Sequence, residues 1–282
     1  MVILRGGRSE TGELVLMSLF LLIPLTVVFG LLIGSFLTVV ADRVPRGGNI
    51  NRPPSACGNC GLRLGPLDLV PVVSWLALGG KCRRCRNPIG IDPLVIELMN
   101  VTIWVVFALK FHDDNIAVLP AFLIFGSVLV VQTWIDIREQ RLPREITFTG
   151  LVMGGVALTV AAIIIDEPER ILMAALGAAI ALVIIGGIYI ASNAFYGKGV
   201  AFGFGDVILA PFLGLYLGWL NLSIVAPGLF FGFVLATLGV VPAMVSGKAD
   251  GKTQVPFGPF LALGAIVSVF LGQHFIDLVL AR

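Results

Sequence analysis

Charge is scarce in this sequence: Asp, Glu, Lys and Arg make up 13% of its 282 residues, against roughly 25% in an ordinary soluble domain. Histidine is scarcer still, with two residues, and cysteine stops at four. No Gly-x-Ser-x-Gly, no low-complexity run and no strong internal repeat occurs. The shortage of charge excludes a soluble globular enzyme and a disordered chain. Four cysteines in a chain this long exclude a disulfide-stapled secreted miniprotein.

What fills the sequence is apolar. Hydrophobic residues reach 57%, and mean hydropathy is +1.00. A spanning helix needs roughly 20 mostly apolar residues, and several runs qualify. Leu14–Ala41, Ile116–Ile135, Ile146–Ile165, Ile171–Gly197 and Val255–Ile276 carry no charge, and Pro93–Leu109 carries only Glu97. Val207–Gly247 is free of charge for 41 residues, enough for two crossings with a polar turn near Gly218–Ser223. The expected fold is therefore an all-α polytopic membrane protein of about eight transmembrane helices. Its sixth span, Val207–Leu220, is short: fourteen residues reach only ~21 Å as a helix. The first span is read as retained, because no clear small-residue cleavage site follows it.

The charges orient these spans. Asp42–Asp92 is the one long polar stretch and holds eight Lys and Arg. With that stretch in the cytoplasm and the spans alternating, the cytoplasmic side also gains Arg138, Arg141, Arg144, Lys198, Lys248 and Lys252. The outer side keeps Arg5, Arg8, Lys110, Arg170 and Arg282, and its loops carry acids: Asp113, Asp114, Asp166, Glu167 and Glu169. The positive-inside bias thus places both ends outside. In the first span, Gly30-x-x-x-Gly34 suits close packing of helices. His112 and His274 both fall near the outer surface, which leaves a Ser–His hydrolase and a His-ligated metalloprotease poorly supported.

Within the polar stretch, Cys57-x-x-Cys60 and Cys82-x-x-Cys85 form two knuckles 21 residues apart. Thiolates at this spacing can close a tetrahedral zinc site, each pair chelating from one tight turn. Gly58, Gly61 and Gly80 supply loose backbone, and Lys81, Arg83, Arg84 and Arg86 can offset thiolate charge. Two disulfides or four ordinary thiols are the other readings, and a reducing compartment disfavours the first. An all-cysteine site has no open position, so such a zinc is structural.

Carboxylates inside or at the edge of a span are costly and usually functional. Glu97 begins the second span, where a helix N-terminus favours an acid; Asp277 ends the last, where it reaches water. Asp136 and Asp206 differ. Asp136 closes the third span and Asp206, in Gly203-Phe204-Gly205-Asp206, opens the sixth. Two crossings separate them, so both fall on the cytoplasmic side at similar depth. Two carboxylates sharing a low-dielectric site would hold one proton between them. Such a pair can activate a water, polarise a scissile carbonyl and assist a departing amine, titrating as a unit. Gly203 and Gly205 would let an extended peptide lie close to the acid. The other reading is that each aspartate merely caps a helix or faces headgroups.

At this point the residues resemble a known family, the bacterial type IV prepilin peptidases, which are membrane aspartic peptidases of the Gly-x-Gly-Asp type. The resemblance runs from about Gly30 to Gly264. It is carried by Gly34-Ser35-Phe36-Leu37-Thr38-Val39-Val40 with Arg43-Val44-Pro45, by Arg52-Pro53-Pro54-Ser55-Ala56-Cys57, and by Leu69-Val70-Pro71-Val72-Val73-Ser74-Trp75-Leu76 between the knuckles. Pro93-Leu94-Val95-Ile96-Glu97-Leu98, Asp136 followed by Leu142-Pro143, Gly203 to Asp206, and Pro256-Phe257-Gly258-Pro259-Phe260 complete it. Thr38, Arg144 and Ile208 depart from the family pattern, which usually has Asn, an acidic or amide residue, and Lys there.

The resemblance implies catalytic Asp136 and Asp206, an active-site loop at Gly203 and Gly205, and a six-helix peptidase domain over residues 116–282. Before it stand an N-terminal segment and first helix (1–41), the zinc module (42–92), and a second helix with its outer loop (93–115). It implies a bacterial cytoplasmic membrane location and, as substrate, the helix of a prepilin or pseudopilin, whose basic leader stays cytoplasmic and is removed at the membrane border. Membrane lipid is the other expected partner, and no nucleic acid is expected. It further implies S-adenosylmethionine-dependent methylation of the new N-terminus, which no residue here independently indicates. The competing reading from the residues alone is a proton- or cation-coupled transporter using the two aspartates, with the zinc module as regulator.

Overall fold

The computed structural model describes residues 7–113, 116–197, 203–245 and 256–280. Of the charges used to orient the chain, Arg5, Asp114, Lys198, Lys248, Lys252 and Arg282 lie outside them. Among the described residues the architecture is all-helical. In chain order the helices are α1 (Gly7–Arg43), α2 (Val73–Ala77), α3 (Asp92–Phe111), α4 (Leu119–Glu139), α5 (Arg144–Ile164), α6 (Glu169–Tyr196), α7 (Phe204–Leu220), α8 (Val225–Val245) and α9 (Gly258–Leu280). Seven of these, α1, α3, α4, α5, α6, α8 and α9, supply segments long and apolar enough to cross a membrane, and α7 is a shorter apolar helix. Large apolar side chains lie bare on their outer faces, among them Phe20, Ile163, Val183, Ile190 and Leu278. In water such a surface would aggregate; against lipid it is ordinary. The chain is a multi-pass membrane protein.

Its contacts divide it into two compact units, Met1–Arg43 with Asn49–Ser127, and Val44–Gly48 with Val128–Arg282. In the first, α1 packs along α3. The expected glycine pair is where they meet: a Cβ on Gly34 would lie 2.9 Å from the Glu97 Cα, and one on Gly30 3.3 Å from the Val101 Cα. Close approach frees the Gly30 carbonyl to accept from Asn100 Nδ2 at 2.7 Å. Asn100 accepts in turn from Ser127 Oγ, and Ser127 from Trp104 Nε1. Polar groups in an apolar interior are thus satisfied in a chain, as they must be where water is absent.

In the second unit α7 is the central helix, packed against α5, α6, α8 and α9. Eleven of its 17 residues are buried. Its neighbours, rather than lipid, surround it, so its length of ~25 Å need not match the bilayer. It starts three residues before the expected Val207 because Gly203 takes an extended conformation and begins the helix. The α6–α7 seam is built from glycine: a Cβ on Gly214 would lie 2.2 Å from the Gly177 carbonyl oxygen, and one on Gly218 2.5 Å from that of Met173. These neighbours are backbone and cannot yield cheaply. Gly214→Val is therefore expected to cost about 3 kcal/mol, read as a lowered thermal unfolding midpoint of the purified protein in detergent. An unchanged midpoint would contradict this packing.

Candidate active site and metal centre

Asp136 lies one turn from the C-terminal end of α4, buried at 6% exposure. A carboxylate at that end of its own helix meets an unfavourable dipole. The compensation comes from elsewhere in the unit: the backbone N–H of Gly258, the first residue of α9, donates to Asp136 Oδ2 at 3.0 Å. The N-terminus of one helix thus supports an acid at the C-terminus of another. Glycine is required at 258, since a Cβ there would lie 2.8 Å from that same oxygen.

Asp206 sits in the first turn of α7, where acid and helix dipole agree, and is 5% exposed. Its carboxylate folds back onto backbone hydrogen bonds from Gly203 and from its own amide. A Cβ on Gly203 would stand 3.1 Å from Asp206 Oδ2, so glycine leaves the acid room to do this. Asp206 Oδ1 is buried with no hydrogen-bond partner among the described residues. The two carboxylates lie at the same end of this unit, near enough for the Asp136 charge to act on Asp206. The Gly205 Cα face abuts Leu142, and a Cβ would lie 2.9 Å from the Leu142 Cβ.

Three further residues shape this end of the unit. Gly258 and Leu142 belong to motifs visible in the sequence, but nothing in the spacing says that Gly258 reaches an acid 122 residues away. Gln132 carries a sequence signal of its own: it is a polar residue in a charge-free run, one turn before Asp136. It is 1% exposed and donates through Nε2 to the Pro143 carbonyl at 3.0 Å and to Thr147 Oγ1 at 2.6 Å. Two of the three departures from the family pattern are locally satisfied: Thr38 Oγ1 donates to the Ser35 carbonyl, and Arg144 pairs with the next residue, Glu145.

The other acids are accounted for structurally. Glu97 is buried and accepts from the Val72 N–H at 2.6 Å and from Ser35, so it ties the loop before α2 onto α3 within the first unit. Hydrogen bonding, more than the helix dipole, explains it. Asp277 is exposed and accepts from Gln273 Nε2. His112 bonds the Leu109 carbonyl and Asp113 at the end of α3.

The four cysteines of the first unit are gathered by two matching turns. In each, the first cysteine N–H donates to a carbonyl five residues on, Cys57 to Leu62 and Cys82 to Asn87. Its carbonyl accepts from the residue four on, Gly61 and Arg86. Gly61 and Arg86, at equivalent places, both have positive φ, +67° and +58°. Trp75 braces the second turn, donating to the Gly90 carbonyl and stacking so close to Gly80 that a Cβ there would lie 2.8 Å from its ring. Arg83 turns to Asp68 rather than to sulfur, at 2.8 Å. The Gly65 N–H first, and then Arg83, hold Asp68 below the usual carboxylate range.

All four Sγ atoms lie within 4.8 Å of one another, with Cys57–Cys85 at 3.8 Å and Cys60–Cys82 at 3.9 Å. A tetrahedron with zinc–sulfur bonds of ~2.3 Å has edges of ~3.8 Å. All four cysteines are free thiols, so the donor set fits a tetrahedral soft metal ion. The Asn87 N–H and then the Asn59 side chain pull Cys85 down to about 6, as such N–H···S bonds favour thiolate.

Comparison with known proteins follows this division. A model of the bacterial Peptidase A24 N-terminal domain matches residues 28–111, and one of the type IV leader peptidase family matches residues 123–281. The prepilin leader peptidase/N-methyltransferase of Aeromonas hydrophila is 29% identical over 278 residues, covering 90% of this chain and 92% of that protein. Its namesake in Burkholderia pseudomallei strain 1026b is 31% identical over 278 residues (88% and 85%), and that of Bacillus subtilis 28% over 250 residues (89% and 94%). No solved structure matches the chain. By these matches, over most of its length, the chain belongs to the type IV leader peptidase family.

Proposed function

We propose that this chain is an aspartic endopeptidase that removes the leader from type IV prepilins and pseudopilins at the cytoplasmic border of the bacterial membrane. Asp136 and Asp206 are its catalytic pair. The observation that carries the reading is the convergence of two buried carboxylates at one end of the second unit, one of them with an oxygen that no described group occupies. The pair works with one proton between its members. The ionised carboxylate takes a proton from a water as its oxygen bonds to the scissile carbonyl carbon. The protonated one donates to the carbonyl oxygen. Collapse of the tetrahedral diol breaks the C–N bond: the carboxylate now protonated gives its proton to the leaving nitrogen while the ionised one takes back the proton of the former carbonyl oxygen, so the pair again holds one proton. Burial makes each of these interactions stronger than it would be in water. The positive-inside bias puts this end of the unit at the cytoplasmic face, where water and a basic leader are both available. Membership in a peptidase family speaks against the transporter reading.

Cys57, Cys60, Cys82 and Cys85 would hold a zinc ion. With every position filled by sulfur, the metal would cross-link the two knuckles and take no part in hydrolysis. The relatives' names carry a second activity, N-methyl transfer. The cleft of about 450 Å³ beside the cysteines offers Asn59, Asn87 and apolar residues, with no carboxylate to bind a ribose or an ammonium and no aromatic face. It does not fit S-adenosylmethionine.

The test is incubation of the purified full chain, in lipid nanodiscs, with a model prepilin. The expected result is a single cut where the basic leader meets the hydrophobic helix. An intact substrate at equimolar enzyme would overturn the reading.

A further inference from the structure

We propose that the turn between α4 and α5 is a strut that sets the separation of the two carboxylates, with Leu142 as its contact piece and Gln132 as its anchor. The inference rests on Asp136 and Asp206 acting as a pair.

The turn grows directly from Asp136, whose carbonyl accepts from the Gln140 N–H at 2.9 Å. Gln140 takes a positive φ of +52°, which reverses the chain sharply. Leu142 then lies at once against the segment that bears Asp206 and the one whose N–H holds Asp136. A Cβ at Gly205 would lie 2.9 Å from the Leu142 Cβ and 3.3 Å from its Cδ1; a Cβ at Gly258 would lie 3.1 Å from its Cδ2. Gly205 is the neighbour of Asp206, and Gly258 carries the N–H that holds Asp136. One leucine side chain therefore spaces the start of α7 from the start of α9, and hence one acid from the other's hydrogen-bond donor. Both spaced positions are glycine, so the leucine meets backbone, which cannot rotate away as a side chain could.

The strut is itself fastened. Gln132 binds the Pro143 carbonyl and Thr147 Oγ1, joining the end of the turn and the first turn of α5 to α4. Pro143 fixes its own φ at −60°. Losing Gln132 would leave the buried Thr147 hydroxyl without the amide that donates to it, and the Pro143 carbonyl with only the long 3.5 Å approach of the Thr147 N–H, so its removal frees the turn rather than merely thinning the packing. Neither Leu142 nor Gln132 has an atom placed to transfer a proton in the proposed reaction; both are positioning residues. Their effect belongs in the rate of the chemical step, because misplacement of reacting groups by ~1 Å can cost about 100-fold.

The experiment measures kcat and KM for a model prepilin, alongside the thermal unfolding midpoint, using purified full-length protein in nanodiscs. Leu142→Ala and Gln132→Leu are each expected to lower kcat about 10- to 100-fold. KM should stay within about threefold, and Leu142→Met, which conserves volume, should restore kcat to within about threefold of wild type. If Leu142→Ala does not fold, Leu142→Val probes the same contact with a smaller expected loss, about threefold or more. Unchanged kcat in the folded leucine and glutamine variants would overturn the strut. So would a loss lying wholly in KM, or one that tracks the unfolding midpoint and is not restored by methionine. Full cleavage by Asp136→Asn or Asp206→Asn would instead overturn the catalytic pair. Inactive aspartate variants beside an active Leu142→Ala would remove the strut alone.

Discussion

Asp136→Asn and Asp206→Asn are each expected to slow cleavage of a model prepilin by at least about 1,000-fold, with little change in folding. Asparagine keeps the shape of aspartate and its amide oxygen can still accept the Gly258 N–H that now reaches Asp136 Oδ2 at 3.0 Å. At position 206 the same oxygen can still accept from the helix start that holds Asp206. What each substitution removes is the capacity to hold or release a proton at that atom. Because the proposed pair shares one proton, neither partner can take over the other's part, and both single variants should fall to a similar level. Purified variants should retain the wild-type unfolding midpoint to within a few degrees. Cleavage by either variant at more than about one-tenth of the wild-type rate would separate the two acids functionally.

Replacement of Cys57, Cys60, Cys82 and Cys85 by serine should take zinc from about one ion per chain to none, since serine offers a poor ligand to a soft site. Structural zinc in small domains contributes about 10–16 kcal/mol to folding, far more than the two isolated two-residue pairings, Ala56 with Arg63 and Lys81 with Pro88, that remain in the knuckles. Residues 44–91 of the serine variant should therefore be cut rapidly by added protease, while the aspartate variants resist it and keep their metal. Zinc content by elemental analysis, with the protease digest beside it, checks this. Unchanged zinc would end the metal reading. Arrest of proteolysis on zinc removal, with the loop still protected, would point to a metal in the hydrolysis itself.

Most of the helical plan was legible because in a membrane it follows from long apolar runs, and only helices and closed barrels satisfy every backbone group there. The seven long spans stood out as stretches with no charge or, in the second, with Glu97 alone, and the knuckles as paired cysteines. The role of α7 was not legible. Its sequence reads as a short span, and only packing reveals a central helix seated on glycine at 177, 214 and 218. Residue spacing put Asp136 and Asp206 on one side by counting crossings, but it could not supply what supports them. The Gly258 amide arrives from another helix, and Leu142 acts through contacts that no periodicity encodes. Arg83 shows the same limit in reverse: its place beside Cys82 suggested thiolate balance, whereas the chain turns it to Asp68.

The joint action of the two aspartates is tested most directly by single-turnover cleavage of one defined prepilin in nanodiscs, comparing Asp136→Asn, Asp206→Asn and the doubly substituted chain. A pair that handles one shared proton loses everything with its first member, so the double variant should cleave no more slowly than either single one. Losses that multiply in the double variant would mean two independent contributions and would contradict a shared site.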